Sequence, residues 1–120
     1  MKKFLVVLFT VFTVSAFFGH APTGAEFNYE ATSEGGVLTV NVLHNLKTSP
    51  VSDPTKHYLN KIVLYVKGKT VETLTLNKQN SIEGEKVVFK INLNPGDKIS
   101  VKATCNLLGT KKVNYTIPKK

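Results

Sequence analysis

The sequence predicts an all-β fold, an immunoglobulin-like β-sandwich of about seven antiparallel strands. Three observations carry that expectation. From Glu26 onward apolar and polar residues alternate with period two rather than helical period, turn formers recur at short, regular intervals, and seven such runs fit into roughly 95 residues. A chain of 120 residues makes about one domain.

The start of the chain stands apart. MKKFLVVLFTVFTVSAFF sets Lys2 and Lys3 before an apolar run broken by Thr10 and Thr13, with small Ser15 and Ala16 following. That is the layout of a secretory signal peptide, expected over residues 1–21 with cleavage after Ala16 or Ala21, and it leaves a single domain over 22–120. The run from Phe4 to Phe18 is shorter than the roughly 20 residues a membrane span needs. The mature protein is therefore expected to be secreted or periplasmic, with no membrane span.

The strands are expected at Phe27 to Ala31, Val37 to His44, Tyr58 to Val66, Thr70 to Leu76, Lys86 to Leu93, Lys98 to Asn106 and Lys112 to Ile117. Glu34-Gly35-Gly36 separates the first pair, and Ser49-Pro50 through Asp53-Pro54 the second. Gly68, Gly84, Asn94-Pro95-Gly96-Asp97 and Gly109 mark the remaining turns. Alternation then assigns the core faces. Leu38, Val40 and Val42 share one, continued by His44; Ile62, Leu64 and Val66 share another, with Tyr58 and Asn60 on the same side nearer that strand's start. Val87, Phe89, Ile91 and Leu93 point inward, as do Val113, Tyr115 and Ile117. The sixth strand alternates most cleanly, with Ile99, Val101, Ala103, Cys105 and Leu107 on the core side.

Charge and chemistry narrow the function. Without Lys2 and Lys3 the chain has 14 lysines against 8 acids, a net charge of +6, and no arginine anywhere. Arginine supplies the bidentate contacts that usually read phosphates and bases, and the lysines are dispersed, so no nucleic-acid partner is expected. Ser49, Ser52 and Asp53 share a loop but lack the placed base and oxyanion hole of a serine nucleophile. Asn114-Tyr115-Thr116 matches a glycosylation sequon, relevant only in a host with that machinery. A single cysteine, Cys105, excludes an internal disulfide.

Cys105 has two readings from the residues alone. Unpaired cysteine is among the most often buried residue types, so it fits as core filler. In a sandwich of this strand order, however, the loop after the second strand and the loop after the sixth lie at one end, and His44 enters the first loop, His57 leaves it, and Cys105 enters the second. One thiolate with imidazoles suits iron, copper or zinc. The competing readings are a satisfied strand-end histidine for His44 and an exposed loop residue for His57.

The segment SDPTKHYLNKIVLYVKG, followed some forty residues later by CNLLG, resembles the ferrous-iron domain of desulfoferrodoxin and superoxide reductase over roughly Val37 to Thr116. The resemblance implies an immunoglobulin-like sandwich in which iron takes four histidine nitrogens and an axial cysteine sulfur and reduces superoxide. His57, in His57-Tyr58-Leu59, matches the histidine that opens the third strand, and Cys105, in Cys105-Asn106-Leu107-Leu108-Gly109, matches the axial cysteine. Val51 and Leu108 stand where two further histidines fall, and neither can coordinate. His44 and His20 are candidate substitutes, the family also drawing a ligand from an N-terminal loop.

The expected function is a secreted desulfoferrodoxin-like domain binding iron through Cys105, His57, His44 and His20, with a redox or superoxide-related role and an unidentified protein or redox partner. Two alternatives stand beside it. One is a metal-free relic whose apolar Val51 and Leu108 complete the core, serving structure or binding. The other is copper held by the amino group and ring of an N-terminal His20.

Overall fold

The computed structural model describes residues 21–47 and 49–119; His20 and the expected signal segment, apart from Ala21, lie outside them. Seven strands follow one another as β1 (Gly24–Thr32), β2 (Gly35–Leu43), β3 (Leu59–Val66), β4 (Lys69–Thr75), β5 (Gly84–Lys90), β6 (Lys98–Cys105) and β7 (Thr110–Thr116). They form two antiparallel sheets, ordered β1-β2-β5 and β4-β3-β6-β7. The expected all-β sandwich is thus observed, each strand lying within three residues of its expected bounds. Among the described residues no helix is long and apolar enough to cross a membrane.

The core lies between the sheets because each strand's apolar set is spaced at two residues. Leu38, Val40, Val42, Val87 and Phe89 of the three-stranded sheet meet Ile62, Leu64, Ile99, Val101 and Ala103 of the four-stranded one, with Ile117 beyond β7. A stacked pair, Phe27 and Tyr115, ring centroids 4.6 Å apart, joins β1 to β7. Tyr29 Oη donates to the Ile91 carbonyl at 3.1 Å and accepts the Leu93 N–H at 2.8 Å, fixing the end of the sandwich remote from His44.

Two expected faces are corrected. A register shift between Leu59 and Lys61 in the β3–β6 pairing turns Leu59 fully inward, while Tyr58 and Asn60 are only half-buried. A bulge breaks strict alternation, so the inward residue at the start of β3 is Leu59. Leu107 is 39% exposed, because β6 ends at Cys105 and the chain turns there: the Cys105 N–H donates to the Gly109 carbonyl at 3.0 Å.

One end of the sandwich gathers the exit of β2, the start of β3, the start of β5 and the exit of β6, since Leu43 pairs with Gly84 and Leu59 with Cys105. Gly84 permits this closure. A Cβ there would collide with the Val42 carbonyl oxygen, so only glycine lets the chain pass β2 closely enough for the His44 N–H to reach the Glu83 carbonyl at 3.0 Å.

Candidate metal centre

His44, His57 and Cys105 converge at that end. Their ligand atoms lie within 4.8 Å of one another, and the residues are 0%, 0% and 5% exposed. His57 is therefore not an exposed loop residue. The two imidazoles meet edge to face, centroids 4.8 Å apart and planes 88° to each other.

His44 follows directly on β2, and Gln79 holds its ring. His44 Nδ1 lies 2.8 Å from Gln79 Oε1. The amide's orientation is set by its other bonds: Nε2 donates to the carbonyls of His44 at 3.0 Å and Ser81 at 2.8 Å, and Oε1 also accepts the Leu59 N–H at 3.2 Å. An oxygen facing Nδ1 can only accept, so Nδ1 carries the proton and Nε2 keeps the in-plane lone pair. Gln79 is 3% exposed, its N–H donates to the Pro54 carbonyl at 3.0 Å, and its loop is braced by buried Glu85, which accepts from Asn80 N and Nδ2 at 2.8 and 2.7 Å.

His57 ends a short turn built by Asp53. The Asp53 carbonyl accepts the N–H groups of Lys56 and His57, both at 2.9 Å, and its Oδ1 accepts Thr55 N at 2.9 Å and Thr55 Oγ1 at 2.7 Å. These bonds, the backbone one foremost, hold the exposed Asp53 carboxyl below its usual 3.8, with Lys56 adding a smaller push in the same direction. His57 Nδ1 donates to the Val51 carbonyl at 2.7 Å, with Ser49 Oγ at 3.2 Å beside it. Here too the proton sits on Nδ1, and the lone pair on the buried Nε2.

Cys105 closes β6, and the Leu107 N–H donates to its Sγ at 3.4 Å, a contact that strengthens when sulfur is anionic. Asn106 then ties the two loops together. Its side chain accepts the Tyr58 N–H at 2.8 Å and donates to the Lys56 carbonyl at 3.0 Å, while its own N–H donates to the Tyr58 carbonyl at 2.9 Å. The residues either side of His57 are thereby fixed relative to Cys105.

Two imidazoles with Nδ1 against oxygen, beside a thiol, offer the donor types that transition-metal sites use, with oxygens placed as such sites place their supporting groups. Three of the four expected ligand residues are thus brought together; His20 lies outside the described residues. Gln79 had no sequence signal, sitting in the polar loop Asn77-Lys78-Gln79-Asn80, whereas Asn106 lay inside the motif.

The set departs from the ferrous centre implied by the resemblance. Four imidazoles would be needed, and the whole sequence has three histidines. No carboxylate belongs to the cluster among the described residues.

No protein-family profile matches the chain, and no curated protein does. Solved structures do. A hypothetical protein, PH1083, from Pyrococcus horikoshii OT3 is similar with a TM-score of 0.54 and 17% identity, covering 87% of this chain and 97% of that one. Superoxide reductase (neelaredoxin) from Archaeoglobus fulgidus, in the reduced form, gives 0.51 and 21%, covering 87% and 94%. Superoxide reductase from Nanoarchaeum equitans gives 0.51 and 17%, covering 82% and 92%. At such identities the likeness is one of architecture: this chain has the fold of the superoxide reductases.

Proposed function

We propose that the protein is an exported metal-binding domain that holds one transition-metal ion through Cys105 Sγ and the rings of His57 and His44. The observation that carries this reading is convergence: two fully buried histidines from opposite ends of one loop, each with Nδ1 against an oxygen, meet a buried cysteine so that one ligand atom from each falls within 4.8 Å of the others. A hydrogen-bonded ring nitrogen is what any buried histidine needs; packing alone gives no reason for both rings to meet the single thiol of the chain.

The fold and the Cys105-Asn106 turn support a redox-related role. A redox-active ion bound there would exchange single electrons with a partner. Iron is the ion of the superoxide reductases, but the four-imidazole set it would need exceeds the histidines of this chain, so reduction of superoxide is not part of the proposal. Export rests on the lysine-led apolar start of the chain.

Titration with Co(II) tests the reading. Uptake of about one equivalent, with a sulfur-to-cobalt charge-transfer band absent from Cys105→Ala, is the expected result. No uptake, with the alanine variant differing only by a small loss of stability, would establish the metal-free relic.

A further inference from the structure

We infer that the ion this site selects is copper, held as Cu(I) and oxidisable in place to Cu(II), rather than the iron of the similarly folded reductases. The inference rests on the metal-binding reading above and adds the identity of the ion. Two imidazole nitrogens and one thiolate, without a carboxylate among the described residues, form a soft donor set; thiolate selects Cu(I), and a trigonal arrangement of two histidines and one cysteine is the geometry of blue-copper sites. Iron and zinc are served less well. Non-haem ferrous sites typically add a carboxylate and keep open positions for further ligands, and structural zinc sites close with four protein ligands.

Burial points the same way. Residues 0%, 0% and 5% exposed leave little access for the water that zinc or iron would recruit to fill its coordination, whereas Cu(I) is satisfied by a few soft donors. The residues at the two positions matched to ligands by resemblance are the half-buried Val51 and Leu108, which bring hydrocarbon rather than further donors. The supporting bonds from Gln79 Oε1 and the Val51 carbonyl fix both rings from behind, so both oxidation states would meet the same ligand arrangement.

Mature protein loaded anaerobically with one equivalent of Cu(I), then oxidised by ferricyanide, provides the test. The expected result is retention of one copper, an intense visible thiolate-to-Cu(II) band and narrow copper hyperfine splitting in the electron paramagnetic resonance spectrum. Cys105→Ser should abolish the band with the circular dichroism of the fold unchanged, and His20→Ala should keep it. A tetragonal spectrum without the band, a band that survives Cys105→Ser, or copper lost with His20→Ala would overturn the copper assignment. Cobalt uptake through Cys105 would in those cases leave the metal reading standing. Failure to bind cobalt and copper alike overturns both.

Discussion

Gln79 Oε1 lies 2.8 Å from His44 Nδ1 and 3.2 Å from the Leu59 N–H, so a single buried amide orients a candidate ligand and anchors the start of β3. Gln79→Leu keeps the volume and removes every one of these bonds. Supporting residues of this kind typically contribute about 10- to 100-fold in metal affinity, and buried polar groups stripped of partners cost about 1–3 kcal/mol each. Gln79→Leu is therefore expected to weaken Co(II) binding by about that factor and to lower unfolding stability by at least about 2 kcal/mol in urea denaturation. Unchanged affinity would show that the His44 ring needs no such support.

Asn106 joins the two loops that carry His57 and Cys105. Asn106→Ala loses the side-chain bonds to Tyr58 N and the Lys56 carbonyl, at about 1 kcal/mol each. The variant should unfold about 2 kcal/mol more easily, and amide hydrogen exchange should rise at Lys56 to Tyr58 ahead of the sheets. Uniformly raised exchange would mean that Asn106 serves general stability rather than the alignment of the loops.

The Asp53 carboxyl, held low by its bonds to Thr55, makes the turn before His57 sensitive to acid. A group whose pKa is lower in the folded state adds stability that is complete above its unfolded value, near 3.8, and is lost as the pH falls through its folded value. Asp53→Asn should be less stable than the parent at pH 7, and the difference should narrow at a pH well below 3.8. Comparison of thermal midpoints at the two pH values checks this; a difference that persisted in acid would point away from the carboxylate.

Val51 and Leu108 mark where this site departs from the implied ferrous centre. The double variant Val51→His with Leu108→His supplies the two missing imidazoles at half-buried positions. It should acquire about one equivalent of ferrous iron, with a sulfur-to-iron band on oxidation, where the parent takes up little. Equal iron uptake by parent and variant would show that these positions do not control the choice of ion.

The architecture was legible because period-two alternation fixes both strand identity and facing. It failed where the backbone left that period, at the bulge that brought in Leu59 in place of Tyr58 and Asn60 and beyond Cys105, where the turn released Leu107 to solvent, and it did not reach Val63 or Leu46, which are buried as well. The candidate site was legible as far as chemistry and topology reach. His44, His57 and Cys105 share one end because their loops do, and the histidine and cysteine motifs named two of the three. Periodicity could not reveal the tautomers, which depend on Gln79 and the Val51 carbonyl, contacts made across 35 residues in one case and through the backbone in the other. Backbone carbonyls carry no sequence signal, and one glutamine in a polar loop resembles any other.

The central claim is that Cys105, His57 and His44 hold a metal ion in the working protein. Elemental analysis of the protein isolated from its native compartment tests it most directly. About one equivalent of a transition metal, lost in Cys105→Ala, is the predicted result; parent protein isolated free of metal would contradict it.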